Sequence, residues 1–196
     1  MKPWLRKLGF ALHVVVSVSW VGAVGAFLAL AAASLSKDAE LAKAAYLAME
    51  VVGRAVLLPL SGAALVSGIV QSLGTQWGLF RYYWVTVKLV LTIVAAVGLL
   101  MHQSTAIAEA ARLAVTSGSG FADHGRLGEL SVQLFADASL GIVLLAAISA
   151  IAIYKPWGLV GRITGGFRLF LAAIAALVAA FIALHLSGRS PHQHHH

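Results

Sequence analysis

The sequence predicts an all-α, polytopic transmembrane helical bundle, and three observations lead to this fold class. Hydrophobic residues make up 60% of the 196 positions and charged residues only 11%. A water-soluble domain holds about 45–50% apolar and about 25% charged residues, and a small domain cannot bury such an excess. The apolar residues also form continuous runs rich in Ala and Leu, which favours helices over the alternating strands of a membrane barrel.

Five apolar runs are each long enough to cross a hydrocarbon layer of about 30 Å. They cover residues 8–35, 45–73, 83–107, 130–154 and 166–187, so that residues 1–190 form a single transmembrane domain. The first run is longer than the apolar core of a signal peptide, and we interpret it as a retained helix. Polar connectors are expected at 36–43, 74–82, 108–129 and 155–165.

The second run contains Pro59, which predicts a distortion of that helix. Proline has no backbone N–H, and its ring clashes with the preceding turn. Small residues, among them Gly25 in the first run and Gly62 and Gly68 in the second, allow helices to approach closely.

The distribution of Lys and Arg predicts a cytoplasmic N-terminus and, with five spans, a C-terminus on the outside. Eight of these cations fall on the inner side of this arrangement and five on the outer side. Trp and Tyr side chains favour the headgroup region, and seven of them map to the predicted inner interface. These are Trp4, Trp77, Trp84, Trp157, Tyr82, Tyr83 and Tyr154.

The net charge of +7 does not point to nucleic acid, because the cations are scattered over short connectors. The expected partner is the lipid bilayer, with assembly into a homo-oligomer or a larger membrane complex left open. There are no cysteines, which excludes disulfides, thiolate metal sites and a cysteine nucleophile. Walker, dinucleotide-binding, zinc-protease and serine-hydrolase motifs are also absent from the sequence, and whether the chain is an enzyme stays open.

His13, Ser17 and Trp20 are spaced so that they share one face of the first helix. Lys88 lies at a similar expected depth in the third span. A histidine inside a membrane helix can bind haem iron or another metal through a ring nitrogen, with neighbouring side chains shaping the pocket. The alternative is a histidine that only hydrogen-bonds to a neighbouring helix, with Lys88 extending towards the interface.

A second polar cluster is expected in the outer half of the membrane. Glu50 and Arg54 are one helical turn apart and can pair, and Asp137 enters the fourth span from the same side. An arginine shared by two carboxylates would join two helices. The alternative is a path for protons or cations.

Three further histidines fall on the outer side, and imidazole suits copper and zinc. His102 and His185 lie near helix ends and His124 lies in a connector. A copper or zinc site formed by these three is one interpretation, and unconnected interfacial histidines are the other. The candidate metal ligands are thus His13 near the inner side and, separately, His102 and His185 on the outer side. The tail at 191–196 is rich in histidine and is either a natural metal-binding tail or a remnant of a purification tag.

Residues 12–22, LHVVVSVSWVG, resemble the first helix of the CopD copper-resistance family and of the HemJ-like haem-binding membrane proteins. Residues 78–89, GLFRYYWVTVKL, are similar to the lead-in of their third helix. Residues 74–82 and 154–158 resemble stretches of small bacterial integral membrane proteins of unknown function. The resemblance implies a bacterial inner-membrane location, His13 as a haem ligand and Lys88 as its functional partner.

Three functions follow as hypotheses. The first is a membrane protein that binds haem b, or otherwise handles haem or copper, through His13. The second is a non-enzymatic scaffold or accessory subunit, in which the polar groups only hold helices together. The third is a small transporter coupled to protons or ions through Glu50, Arg54 and Asp137.

Overall fold

A computed structural model of the chain describes residues 2–75, 77–116 and 124–155, together with Ala172 and Ala176. The elements in this part of the chain are all helices, which confirms the predicted all-α class. Within the described residues, four helical units are long and apolar enough to cross a membrane, namely Pro3–Ala33, Ala39–Leu73, Tyr83–Val115 and Gly125–Tyr154. Apart from the two isolated positions, the predicted fifth span and the histidine-rich tail lie outside the described residues.

The first long helix is α1, Pro3–Ala33. The second unit consists of α2, Ala39–Val52, a π-helical turn at Gly53–Leu57, and α3, Leu58–Leu73. The third consists of α4, Tyr83–His102, a π-helical turn at Gln103–Ile107, and α5, Ala108–Thr116. The fourth is α6, His124–Tyr154.

Local chemistry explains where the first two units begin. Pro3 stands in the first turn of α1, where its missing N–H would be unpaired in any residue. Asp38 caps α2, because its side chain accepts hydrogen bonds from the backbone N–H groups of Glu40 at 3.0 Å and Leu41 at 3.3 Å.

The distortion expected at Pro59 takes the form of a π-helical turn. The turn Gly53–Leu57 lies directly before the proline, and the backbone N–H of Leu58 donates to the carbonyl of Gly53 across the wider turn. Pro59 cannot donate to the carbonyl one α-turn earlier, so a locally wider helix re-pairs the backbone groups.

The prediction of a connector over 108–129 is wrong at both of its ends. Residues 108–116 form α5, and α6 already begins at His124. The alanines of this segment favour a helix, and Ala110, Ala111 and Ala114 are buried. α5 packs against α2, so a polar sequence here indicates a solvent-facing helix side rather than a loop.

The helices surround one hydrophobic core. α1 packs against α2, α3 and α6, while α4 packs against α3 and α6. Met49, Leu57, Ile107 and Leu134 are among the fully buried side chains of this core. We call the end at which α1 and α4 begin and α3 and α6 end the basal end, and the opposite end the distal end.

Candidate functional site

His13 joins three helices in the basal half of the bundle. Its Nδ1 lies 2.9 Å from Ser67 Oγ on α3, and its Nε2 lies 3.2 Å from Lys88 Nζ on α4. The imidazole is buried, at 8% exposure. His13 and Lys88, expected at similar depth, are therefore in direct contact.

The hydrogen bonds assign one tautomer to the imidazole. An ammonium group can only donate, so Nε2 accepts from Lys88 and Nδ1 carries the ring proton. The Ser67 hydroxyl donates to the carbonyl of Ala64 at 3.2 Å, which leaves its oxygen to accept from Nδ1. Both contacts indicate a neutral imidazole whose Nε2 accepts a hydrogen bond from Lys88.

Gly68 makes room for the imidazole. A Cβ atom at this position would lie 3.2 Å from His13 Cε1, closer than nearly all such contacts in proteins. The ring therefore rests against the bare backbone of α3, and its orientation depends on the absence of a side chain there.

The His13–Lys88 pair faces a cavity of about 280 Å³ between α1, α3, α4 and α6. Ser17 and Trp20 line the same cavity, so the structure brings together the face that the sequence singled out. The other lining residues include Phe10, Val21, Leu65, Gln71, Ser72, Thr75, Trp77, Trp84, Leu89, Thr92, Leu145, Ile148, Ser149 and Lys155.

One polar atom in the cavity wall lacks a partner. The indole Nε1 of Trp20 is buried and makes no hydrogen bond within the described part of the chain. By contrast, the hydroxyls of Ser72, Thr92 and Ser149 donate to carbonyls of their own helices. Buried polar groups are normally hydrogen-bonded, so this N–H is an exception, but it is enclosed by protein and does not open into the cavity.

Aromatic rings and a lysine form the mouth of the cavity at the basal end. Trp77 contacts Tyr82 and Trp84 edge to face, with ring centroids 5.2 Å and 5.4 Å apart. Lys155 Nζ lies 4.8 Å from the ring centroid of Trp77, within range of a cation–π interaction.

The backbone of Lys155 has φ 45°, in the left-handed region that favours glycine. Lys155 directly follows the last residue of α6, and its N–H donates to the carbonyl of Ile151 at 3.0 Å. A side chain in this conformation costs about 1 kcal/mol, and a left-handed residue is common where a helix ends. Sequence reasoning did not select Lys155, although the clustering of Trp and Tyr at the inner interface was the signal that could have found it.

The charge in the cavity is entirely positive among the described lining residues. Lys88 and Lys155 are present, and no carboxylate is. The described acidic residues belong to other parts of the chain, from the α1–α2 connection to the middle of α6: Asp38, Glu40, Glu50, Glu109, Glu129 and Asp137. A cation beside a neutral imidazole in apolar surroundings is costly, and an anion would neutralise it.

The predicted second polar cluster lies away from this cavity. Arg54 and Glu50 form an ion pair of 3.3 Å, with side chains 65% and 32% exposed. Arg54 stands roughly 29 Å along the helix from the basal end of α3, nearly the full thickness of a hydrocarbon layer. Asp137 lies partly buried on α6.

A metal site built from side chains receives no support from the described residues, which contain no group of three or more His, Asp or Glu placed to hold an ion. Of the predicted set, only the side chain of His13 is described. His102 lies at the end of α4, but its side chain, like His185 and the side chain of His124, is outside the described part.

No protein-family model, curated protein or solved structure matches this chain. The resemblance to the CopD and HemJ-like families therefore stays a prediction.

Proposed function

We propose that this chain is a multi-pass membrane protein that binds an anionic small molecule in the basal cavity. The observation that carries the proposal is the hydrogen bond from Lys88 to His13, inside apolar helices and facing a cavity without a described carboxylate. An anion would neutralise the lysine and accept from its remaining N–H groups.

The proposed setting is the inner membrane of a bacterium, with five spans and the basal end in the cytoplasm. Four long apolar helices in the described part of the chain support a membrane location. The excess of Lys and Arg near the basal end, together with Trp77, Trp84 and Tyr82, supports this orientation.

Haem b is the second ligand to consider, because an imidazole nitrogen faces aromatic and apolar walls. Two features of the cavity argue against haem b as its ligand. Nε2 of His13 already accepts a hydrogen bond from Lys88. The volume of about 280 Å³ lies at the lower end for drug-sized ligands, and a tetrapyrrole is larger than these. The geometry favours a smaller group, and copper has no described set of ligands.

The test is to identify what the protein retains after purification in a mild detergent. Mass spectrometry of the extracted ligand, an absorption spectrum and metal analysis are recorded for the wild type, His13→Ala and His13→Gln. Val18→Ala is the matched control, because Val18 lies on the same helix and is 65% exposed. We expect a colourless protein with an anionic ligand, at least tenfold depleted in both His13 variants and unchanged in the control.

A Soret band that both His13 variants lose would identify haem b and overturn the preference for a smaller anion. A protein without any ligand, or with one that is retained equally by all variants, would overturn the binding proposal. The accessory-subunit hypothesis would then be the better explanation.

A further inference from the structure

A groove on the basal surface lies beside the cavity. It has a volume of about 380 Å³ and is lined by Arg6, Lys7, Phe10, Gln71, Thr75 and Trp77. Phe10, Gln71, Thr75 and Trp77 also line the cavity of the His13–Lys88 pair. The two spaces are therefore neighbours that share four wall residues, and we call the two together the basal concavity.

Cations follow the whole length of this concavity. Arg6 and Lys7 stand at the outer part, Lys155 at the aromatic mouth and Lys88 at the inner end. None of the described residues that line either part is acidic. Lysine binds phosphate as a point charge. A row of three lysines and one arginine therefore suits a phosphate group better than a planar carboxylate.

The surroundings favour a ligand that comes from the bilayer. The cavity walls include apolar side chains, among them Leu65, Leu89 and Leu145, from helices long enough to span a membrane. Phe10 lines both spaces and is still 57% exposed, so the concavity shares a wall with the outer surface of the bundle. A volume of about 280 Å³ can hold a headgroup but not two acyl chains, which would stay outside along the helices.

We infer that the ligand is a phospholipid with an anionic headgroup. Its phosphate lies between Lys155 and Lys88 and its chains stay in the lipid, because basic pockets between membrane helices attract anionic headgroups. The inference rests on the proposed function, since it names the class of anion that the basal cavity binds.

The test measures lipid affinity by native mass spectrometry of the protein in a mild detergent. Phosphatidylglycerol is the probe, and phosphatidylcholine with the same chains is the matched lipid. Inorganic phosphate is added as a competitor. The variants are Arg6→Gln with Lys7→Gln, Lys88→Met, and Lys155→Asn, in which asparagine tolerates the left-handed backbone.

The control variant removes two cations from the distal end, Lys37→Gln with Lys43→Gln, so that its net charge changes as in the Arg6/Lys7 variant and by one more than in the two single variants. We expect the wild type to bind one phosphatidylglycerol at least tenfold more tightly than phosphatidylcholine. Lys88→Met and Lys155→Asn should each weaken phosphatidylglycerol at least tenfold, and the Arg6/Lys7 variant several-fold. The distal control should not weaken it.

Equal affinity for the two lipids, or equal losses in the basal and distal variants, would overturn the lipid inference. Displacement of the lipid by millimolar inorganic phosphate would instead identify a free anion as the ligand. If, in addition, substitution of His13 removes a bound anion that is not a lipid, the proposed anion-binding function holds and only the lipid inference is overturned. If neither His13 nor Lys88 affects any bound compound, both proposals fall.

Discussion

Lys88 and His13 illustrate what a single contact implies in an apolar bundle. A lysine near a helix end can extend its ammonium group to the interface, and this was the simple expectation. Instead, Lys88 donates to a neutral imidazole at 3.2 Å. A neutral acceptor does not cancel the charge, so the pair is less favourable than an ion pair would be. That unfavourable balance is the physical reason for placing an anion beside it.

Gly68 provides the residue-scale prediction. Gly68→Ala should push the imidazole of His13 from its place, because the new Cβ would lie 3.2 Å from Cε1. Gly62→Ala on the same helix is the matched control, since no atom lies within 4 Å of its Cβ position. Alanine favours a helix by about 1 kcal/mol over glycine. In thermal unfolding, Gly62→Ala should be more stable than the wild type by about this amount, whereas Gly68→Ala should show no such gain.

Retention of the bound ligand should separate the two variants as well. Gly62→Ala should keep the wild-type amount, while Gly68→Ala should lose most of it. Equal stability gains and equal retention in both variants would show that the ring does not depend on Gly68.

At the scale of elements, α2 and α6 are joined in the distal half by a buried polar contact. Tyr46 Oη lies 3.2 Å from the carbonyl of Leu127 and is also hydrogen-bonded to Ser131 Oγ. Ser131 itself donates to the carbonyl of Leu127 at 2.8 Å. The sequence did not indicate this contact, because Tyr46 and Ser131 are far apart in the chain and neither belongs to a recognisable motif.

Tyr46→Phe should lower the free energy of unfolding by about 1 kcal/mol, within the range measured for hydrogen bonds between membrane helices. The loss should be no larger, since Ser131 keeps its own bond to Leu127 and no buried donor is left unpaired. Thermal or denaturant unfolding in detergent measures the change. Tyr154→Phe, at a position 80% exposed, is the control. Equal stability of the two variants would contradict a structural role for the contact.

For the whole molecule, the sequence predicted the basal half better than the distal half. At the basal end, helices end or begin at Leu73, Tyr83 and Tyr154, where the predicted apolar runs also end or begin, while α1 begins at Pro3, ahead of the run predicted from residue 8. In the distal half, α2 begins at Ala39 and α5 continues to Thr116, beyond the apolar runs. The length of an apolar run reflects the thickness of the hydrocarbon layer, not the full length of the helix that crosses it. The parts of α2 and α5 that extend beyond the apolar runs therefore could not be predicted from hydropathy.

The candidate site could also be predicted only in part. Periodicity placed His13, Ser17 and Trp20 on one face, because helical spacing is a local property. Ser67 and Lys155 belong to other helices, and only the packing of α1 against α3 and the end of α6 brings them to the cavity. No local pattern carries that information.

The orientation of the whole chain can be tested directly, because it contains no cysteine. Single cysteines are introduced at Ser36, between α1 and α2, at Phe80, between α3 and α4, and at Ser190 near the C-terminus. Phe80 is 69% exposed. If the basal end is cytoplasmic, a membrane-impermeant maleimide should label Ser36→Cys on intact cells and Phe80→Cys only after permeabilisation. Five spans require Ser190→Cys to react like Ser36→Cys, whereas four would make it react like Phe80→Cys. If only Phe80→Cys is labelled on intact cells, the orientation is the reverse of the one proposed, and the basic groove faces the outer leaflet.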